Sequence, residues 1–355
     1  VAPGVVNGVV CGARNFFEGD KVVVTLPGAA LPGGFEIAAR KTYGHVSDGM
    51  IASSRELGLS DEHEGILRLS TLGLDPEVGT DALELLGLNE SAAEVNVTPD
   101  RGYCLSIRGI AREYSHASGA KFTDPASKVL AKQGSGFSVQ VNDLAPIHGV
   151  AGSSRFTTLG VSGIDANAAV PGWMANRLKL AGMRSISIAV DITNYVMLEL
   201  GQPIHAYDAD KLKGGITVRR ALPGETLRTL DEKVRDLHVE DLLICDESGP
   251  IGLAGVMGGA SSEVDSTTKN VLIEAALFDP ISIARTARRH KLPSEASKRF
   301  ERGVDPEVGP IAAARVAQLL VELAGGELNG VGSSYQTEVA KVAIELTFAF
   351  ASELV

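Results

Sequence analysis

Hydrophobic positions follow two regimes along this chain. Residues 5–10, 21–26, 35–39 and 66–69 are short runs rich in β-branched and apolar side chains, punctuated by Pro27-Gly28 and Pro32-Gly33-Gly34. Such runs between turn signals predict strands, and several of them within about 75 residues predict a small closed β-barrel. Further on, helical spacing enters. Ile107, Ile110 and Ala111 mark a helix that Gly119 can end. Pro171 opens another before Trp173, Leu178 and Leu180, with Gly182 as its stop. Asp279-Pro280 reads as an N-cap followed by a first-turn proline, opening a helix through Ala287. Val316, Leu319, Leu320 and Leu323 form a stripe closed by Gly325-Gly326, which is the pattern of core packing. Strands are predicted where Ile186, Ile188 and Val190 alternate, at Ile216-Thr217-Val218, and at Val271-Leu272-Ile273-Glu274, an apolar run holding one carboxylate.

These elements predict an α+β multidomain chain. The expected order is an OB-like β-barrel over 1–75, a connector with a small helical element over 76–126, and a mixed α+β domain over 127–335. At 355 residues there is enough chain for two or three separate cores. Hydrophobic residues make up 44% and charged residues 22%, ordinary for a globular protein. No apolar run reaches the roughly 20 residues that span a bilayer, so no membrane partner is expected. Cys11, Cys104 and Cys245 are far apart and outside any CxxC pattern, which points to a reducing, cytoplasmic setting without disulfides or a zinc site.

The formal net charge of -11 opposes binding to phosphate unless the basic residues are grouped. They are grouped once, as Arg285, Arg288, Arg289, Lys291, Lys298, Arg299 and Arg302, opposed within the stretch by Glu295 and Glu301. A solvated helix face is the plain alternative, although His290, Pro293 and Ser294 interrupt it. Several chemistries are absent from the sequence. Gly255-Val256-Met257-Gly258-Gly259 lacks the Lys-Ser/Thr of a phosphate loop, and neither an HExxH metal motif nor a GxSxG elbow occurs. Those glycines suit close approach of backbone to a ligand. What remains is His205 in the proline-set turn Gly201-Gln202-Pro203-Ile204-His205-Ala206-Tyr207-Asp208, the isolated Glu274, a hydroxyl at Ser294, and the basic cluster. Together they could bind and hydrolyse an anionic, acylated substrate. Taken singly, His205 also reads as a structural histidine and Glu274 as a carboxylate paired with an arginine.

The combination of these three segments, in this order, resembles the editing module of the bacterial phenylalanyl-tRNA synthetase β subunits. Residues 10–15 and 47–58 are similar to the family's tRNA-binding OB module, and residues 96–107 to the segment that completes its N-terminal module. By this resemblance the first half of that module is missing, so residues 76–126 hold a partial helical module expected to be weakly supported, residues 336–355 are expected to begin the family's next module, and a start at Val1 suggests a cut or an internal fragment. The resemblance implies hydrolysis of Tyr-tRNA(Phe), with His205 and Ser294 in catalytic positions. It places Arg184 at the rim, Gly258 where backbone lines the pocket, Glu274 on the tyrosine hydroxyl, and Ala296 where a small residue leaves room for the ring. Arg288, Arg289 and Lys291 are the expected tRNA contacts. The implied partners are tRNA(Phe) and the synthetase α subunit, in a heterotetramer of two α and two β, with no DNA. No cofactor is expected in this chain; ATP and magnesium are implied for the complete enzyme through its α subunit. The alternative is a noncatalytic scaffold for tRNA docking and assembly. Editing has a physical rationale, since a phenylalanine pocket rejects an isostere with one added hydroxyl by only about 10²-fold.

Overall fold

The computed structural model describes residues 1–337 and 343–354. The chain divides into two compact units, one of residues 1–95 with 167–191 and the other of 96–166 with the remainder from 192. The expected module start over 336–355 includes residues 338–342 and 355, which lie outside the described residues; a short helix occupies Phe348–Leu354.

In the first unit the expected closed barrel is not found among the described residues. Its strands form three separate pairs: Val24–Thr25 with Met50–Ile51, Ala30–Leu31 with Phe35–Glu36, and Arg40–Thr42 with His45–Ser47. Turns such as Pro32-Gly33-Gly34 arrive before any ladder can lengthen. Residues 5–10 form no named strand; the Val10 amide donates to the Ser47 hydroxyl at 2.9 Å, a side chain standing in for a ladder partner. A small core of Val23, Ala52, Leu57, Leu67, Leu69 and Leu86 holds the unit. The helix Gly172–Leu180 starts after Pro171 as its spacing predicts, and buries Met174 and Leu178.

The strand predicted from Ile186, Ile188 and Val190 is instead the beginning of a helix, Ile188–Leu200. Ile188, Ile192, Val196 and Leu200 recur every four residues and are all buried. Over three residues a β-branched alternation mimics a strand, but the longer run carries the helical period.

The second unit is built on two five-stranded sheets. One has the order Ile204–Asp208, Val271–Phe278, Ser153–Ser162, Glu327–Gln336, Ser135–Gly136; the other runs Met257–Gly258, Gly249–Leu253, Leu242–Asp246, Ile216–Arg220, Val139–Asn142. Val271–Phe278 lies inside the first sheet and is buried at almost every position, which explains its continuous apolar run. The helix Gly309–Ala324 packs over this strand and over Ser153–Ser162, burying Val316, Leu319 and Leu320, and Gly325 caps it in the left-handed region. Pro280–His290 begins as its sequence signal requires, with the Asp279 carboxylate accepting from the Ser282 amide at 2.8 Å.

The helix Ile107–Ser118, expected to be weakly supported, is firmly tied within this unit. Arg108 pairs with Asp124 at 2.8 Å and with Asp305 at 2.9 Å, while Arg299 donates to the Leu105 carbonyl and Arg302 to that of Val97. Long-range ion pairs and side chain–backbone bonds of this kind leave no mark in a local apolar pattern.

Candidate active site

The residues expected in a turn around His205 form a strand. Ile204–Asp208 is an edge strand paired antiparallel with Val271–Phe278, and the register sets His205 directly opposite Glu274. Opposed residues on adjacent strands project from the same face, so the pairing brings imidazole and carboxylate into one wall. Tyr207, two residues along, shares that face. Its ring meets that of His205 edge to face, with centroids 4.4 Å apart at 77°. Its hydroxyl donates to Glu274 Oε2.

These three side chains line a cavity of about 100 Å³. Gly252, Met257 and Gly258 from the second sheet form the facing wall, and Phe278, Ala296 and Phe300 complete an apolar end. The Phe278 and Phe300 rings pack edge to face at 5.1 Å. The glycine at 258 has a specific cause: a Cβ there would sit 2.5 Å from His205 Cε1 and 3.0 Å from Nε2. The close approach anticipated from the glycine run is thus an approach to the imidazole. Gly255 makes its turn at φ +65, where an added Cβ would also press on Phe300 at 2.8 Å.

Burial governs the electrostatics. Desolvation pushes Glu274 up to about 7, with the Tyr207 hydrogen bond pulling the other way. Desolvation also pushes His205 down to about 4, so its imidazole is neutral at neutral pH. Burial, the neighbouring Glu274 charge and their hydrogen bond raise the Tyr207 phenol well above its ordinary range. His205 Nε2 is buried without a hydrogen-bond partner among the described residues. An unpartnered imidazole nitrogen in a cavity wall is suited to hold a water or a reacting group, accepting or donating according to its tautomer.

The other expected site residues are distributed differently. Ala296 lies in the first turn of the helix Glu295–Arg302 and lines the cavity. Ser294 is that helix's N-cap. Its hydroxyl accepts from the Ser297 amide at 3.0 Å and donates to the Val256 carbonyl at 2.9 Å, so both functions of the group are in structural use. The cavity is lined by residues of the second unit alone, whereas Arg184 belongs to the first.

Within the basic stretch, Pro280–His290 ends at Lys291 in the left-handed region and a new helix starts after Ser294. Arg288 pairs with Glu301 yet remains 71% exposed. Arg289 is drawn inward to Glu240 at 2.7 Å and to the buried Asp241, which His290 also contacts at 2.6 Å. Against the upward push of burial, the His290 hydrogen bond and the Arg289 charge help hold Asp241 below the usual carboxylate range. Lys291 is exposed and enters no ion pair among the described residues. Sequence reasoning passed over Tyr207. Its signal was the period of two that places it on the face of His205, visible only once those residues are recognised as a strand.

A family model described as the B3/4 domain matches residues 152–325, a span that takes in most of the second unit's two sheets together with residues 167–191 of the first unit. The phenylalanine–tRNA ligase β subunit of Leifsonia xyli subsp. xyli is 70% identical over 335 residues, covering 92% of this chain and 40% of the relative. That of Thermobifida fusca is 57% identical over 325 residues, covering 91% and 38%. The chain belongs to the phenylalanine–tRNA ligase β-subunit family. It spans about 40% of the length of these curated relatives. A solved N-terminal fragment of the phenylalanyl-tRNA synthetase β subunit from Pyrococcus horikoshii covers 62% of this chain and 71% of its own, at 16% identity and a TM-score of 0.31, too low a likeness to define the fold.

Proposed function

We propose that this chain binds tRNA(Phe) and hydrolyses the ester of tyrosine misattached to it, as part of a cytoplasmic phenylalanine–tRNA ligase of two α and two β subunits. The observation that carries this reading is the cross-strand pair of His205 and Glu274 in one cavity, a neutral imidazole with a free nitrogen facing a buried carboxylate. Glu274 accepts a hydrogen bond from the substrate phenol, the apolar end beside Ala296 and Phe300 takes the ring, and His205 holds the water that attacks the ester carbonyl. The attack forms a carbon–oxygen bond, the bond to the ribose oxygen breaks, and water supplies the protons for free tyrosine and the ribose hydroxyl. Ser294 acts by fixing the helix that carries Ala296. ATP and magnesium serve synthesis on the α subunit. Among the described residues no three His, Cys, Asp or Glu are grouped to hold a metal ion, and no step here is routed through one. No helix among them is long and apolar enough to cross a membrane.

Single-turnover deacylation of Tyr-tRNA(Phe) and Phe-tRNA(Phe) by the chain tests this. The wild type should hydrolyse the former and largely spare the latter. Glu274→Gln keeps an acceptor for Tyr207 but removes the charge, and should lower the Tyr:Phe rate ratio by roughly 10-fold, the worth of a charge-assisted over a neutral hydrogen bond. Equal wild-type rates on the two substrates would sink the discrimination model. No hydrolysis, with tRNA still bound, would leave a docking and assembly scaffold.

The basic stretch supplies phosphate contacts through its exposed cations. Arg288→Ala and Lys291→Ala should each flatten the slope of log affinity against log salt by roughly 0.7 to 0.9. Arg289 is the wrong position to probe, since its loss strips Asp241 of a partner. Unchanged slopes in both variants would remove this stretch from the tRNA interface.

A further inference from the structure

The Glu274 carboxylate already has a phenol bound to it, and that phenol belongs to the protein. Tyr207 is 1% exposed and Glu274 6%, and the Tyr207 hydroxyl donates to one oxygen of the carboxylate in the wall of the cavity. This changes how the pocket weighs a ligand hydroxyl. A buried carboxylate with no donor is heavily penalised, so a ligand lacking a hydroxyl would be rejected by the full cost of leaving it unpaired. With Tyr207 in place the carboxylate keeps a partner whatever the cavity holds. The ligand hydroxyl then adds a second bond to a group that is partly satisfied.

On the reading that this cavity selects tyrosine, we infer that Tyr207 is a specificity-determining residue that relaxes the pocket's discrimination by satisfying Glu274 internally. Its hydroxyl lowers the cost of admitting a ligand without one and limits the gain for a ligand that has one. Tyr207 does not touch the reacting ester; it acts through Glu274. Its ring also meets His205 edge to face, and phenylalanine keeps that contact, so Tyr207→Phe removes the hydroxyl alone.

The test is a double-mutant cycle with two readouts on the full chain. In the first, p-cresol and toluene serve as probes of the cavity, and their affinities are measured by ligand-observed NMR for the wild type, Tyr207→Phe, Glu274→Gln and the double variant. In the second, Tyr-tRNA(Phe) and Phe-tRNA(Phe) are deacylated by the same four proteins. Tyr207→Phe should raise the p-cresol:toluene affinity ratio, and with it the Tyr:Phe rate ratio, by roughly 5- to 50-fold, the range expected when a buried acceptor loses a hydroxyl donor. In the Glu274→Gln background the same substitution should change either ratio by less than about 3-fold, because the charge that made the donor matter is gone. A merely structural Tyr207 would weaken both probes together and leave their ratio in place.

An affinity ratio that stays level or falls in Tyr207→Phe overturns the inference, as does failure of p-cresol to bind either protein. A raised affinity ratio without hydrolysis of Tyr-tRNA(Phe) by any of the proteins would support the inference while removing the hydrolytic function. Wild-type hydrolysis selective for tyrosine, with an unchanged ratio in Tyr207→Phe, would do the reverse.

Discussion

Replacing His205 with alanine should slow Tyr-tRNA(Phe) hydrolysis by about 10²–10⁴-fold, the span of a positioned acid-base group. The electrostatics place the expectation at the lower end. An imidazole held down to about 4 is neutral throughout the physiological range, and so is always competent to accept, but it is a weak base with little driving force to take a full proton from water. In the proposed hydrolysis its contribution should therefore be mostly to orient the nucleophile and to share its proton as the tetrahedral centre forms. Two further observations separate orientation from proton transfer. In the Glu274→Gln protein, where the carboxylate that burial pushes up to about 7 no longer titrates, the acid limb of the pH–rate profile should fall near pH 4 rather than near the ordinary histidine value of about 6.5, because the ring must be neutral to act. His205→Asn, which can hold a water but cannot titrate in this range, should recover part of the rate that alanine loses. Loss of less than about 3-fold in a folded His205→Ala protein would remove His205 from the reaction.

The elements most legible in the sequence were those whose ends carry their own chemistry. Asp279-Pro280 and Gly325 state where helices start and stop, because a cap is a local interaction between near neighbours. The Ile186–Val190 alternation misled for the opposite reason: three positions cannot tell a period of two from the opening turn of a helix whose stripe continues through Ile192, Val196 and Leu200. His205 and Glu274 were legible as residues but not as a pair. Their facing positions depend on a strand register 69 positions apart in the chain, which no local pattern encodes. Tyr207 was hidden by the same gap, and Ser294 was misleading in its own way, since a serine before Glu295 reads equally as a hydroxyl for chemistry and as a helix cap. The barrel expectation failed on length, as short β-branched runs need several consecutive ladder bonds before they close a sheet.

The largest effect on stability should come from Arg220→Ala, a residue outside the cavity lining. Arg220 and Asp143 have side chains only 6% and 2% exposed and form a two-pronged pair, Nε to Oδ1 at 3.0 Å and Nη2 to Oδ2 at 2.8 Å. Arg220 also donates to the Glu240 carbonyl and the Ser282 hydroxyl, joining the second sheet to the helix Pro280–His290. The amides of Gly152 and Ala145 donate to the Asp143 carboxylate. Burial alone would raise the Asp143 pKa, yet the Arg220 and Gly152 hydrogen bonds and the Arg220 charge hold it below the usual value. Removing the guanidinium leaves a buried carboxylate without its counter-charge, which costs about 3–5 kcal/mol. The pH dependence fixes the cause. In the wild type the depressed Asp143 pKa contributes stability that is present above the unfolded value of about 3.8 and is lost as pH falls through the folded value. In Arg220→Ala burial dominates and the folded pKa rises above the unfolded one, so that variant loses stability as pH rises through the interval between them. The gap between the two proteins should therefore be widest near pH 7 and narrow on acidification toward pH 4. Urea unfolding of both at several pH values measures it; a gap below about 1 kcal/mol at pH 7, or one that does not shrink with acid, would show that this pair does not anchor the sheet to the helix.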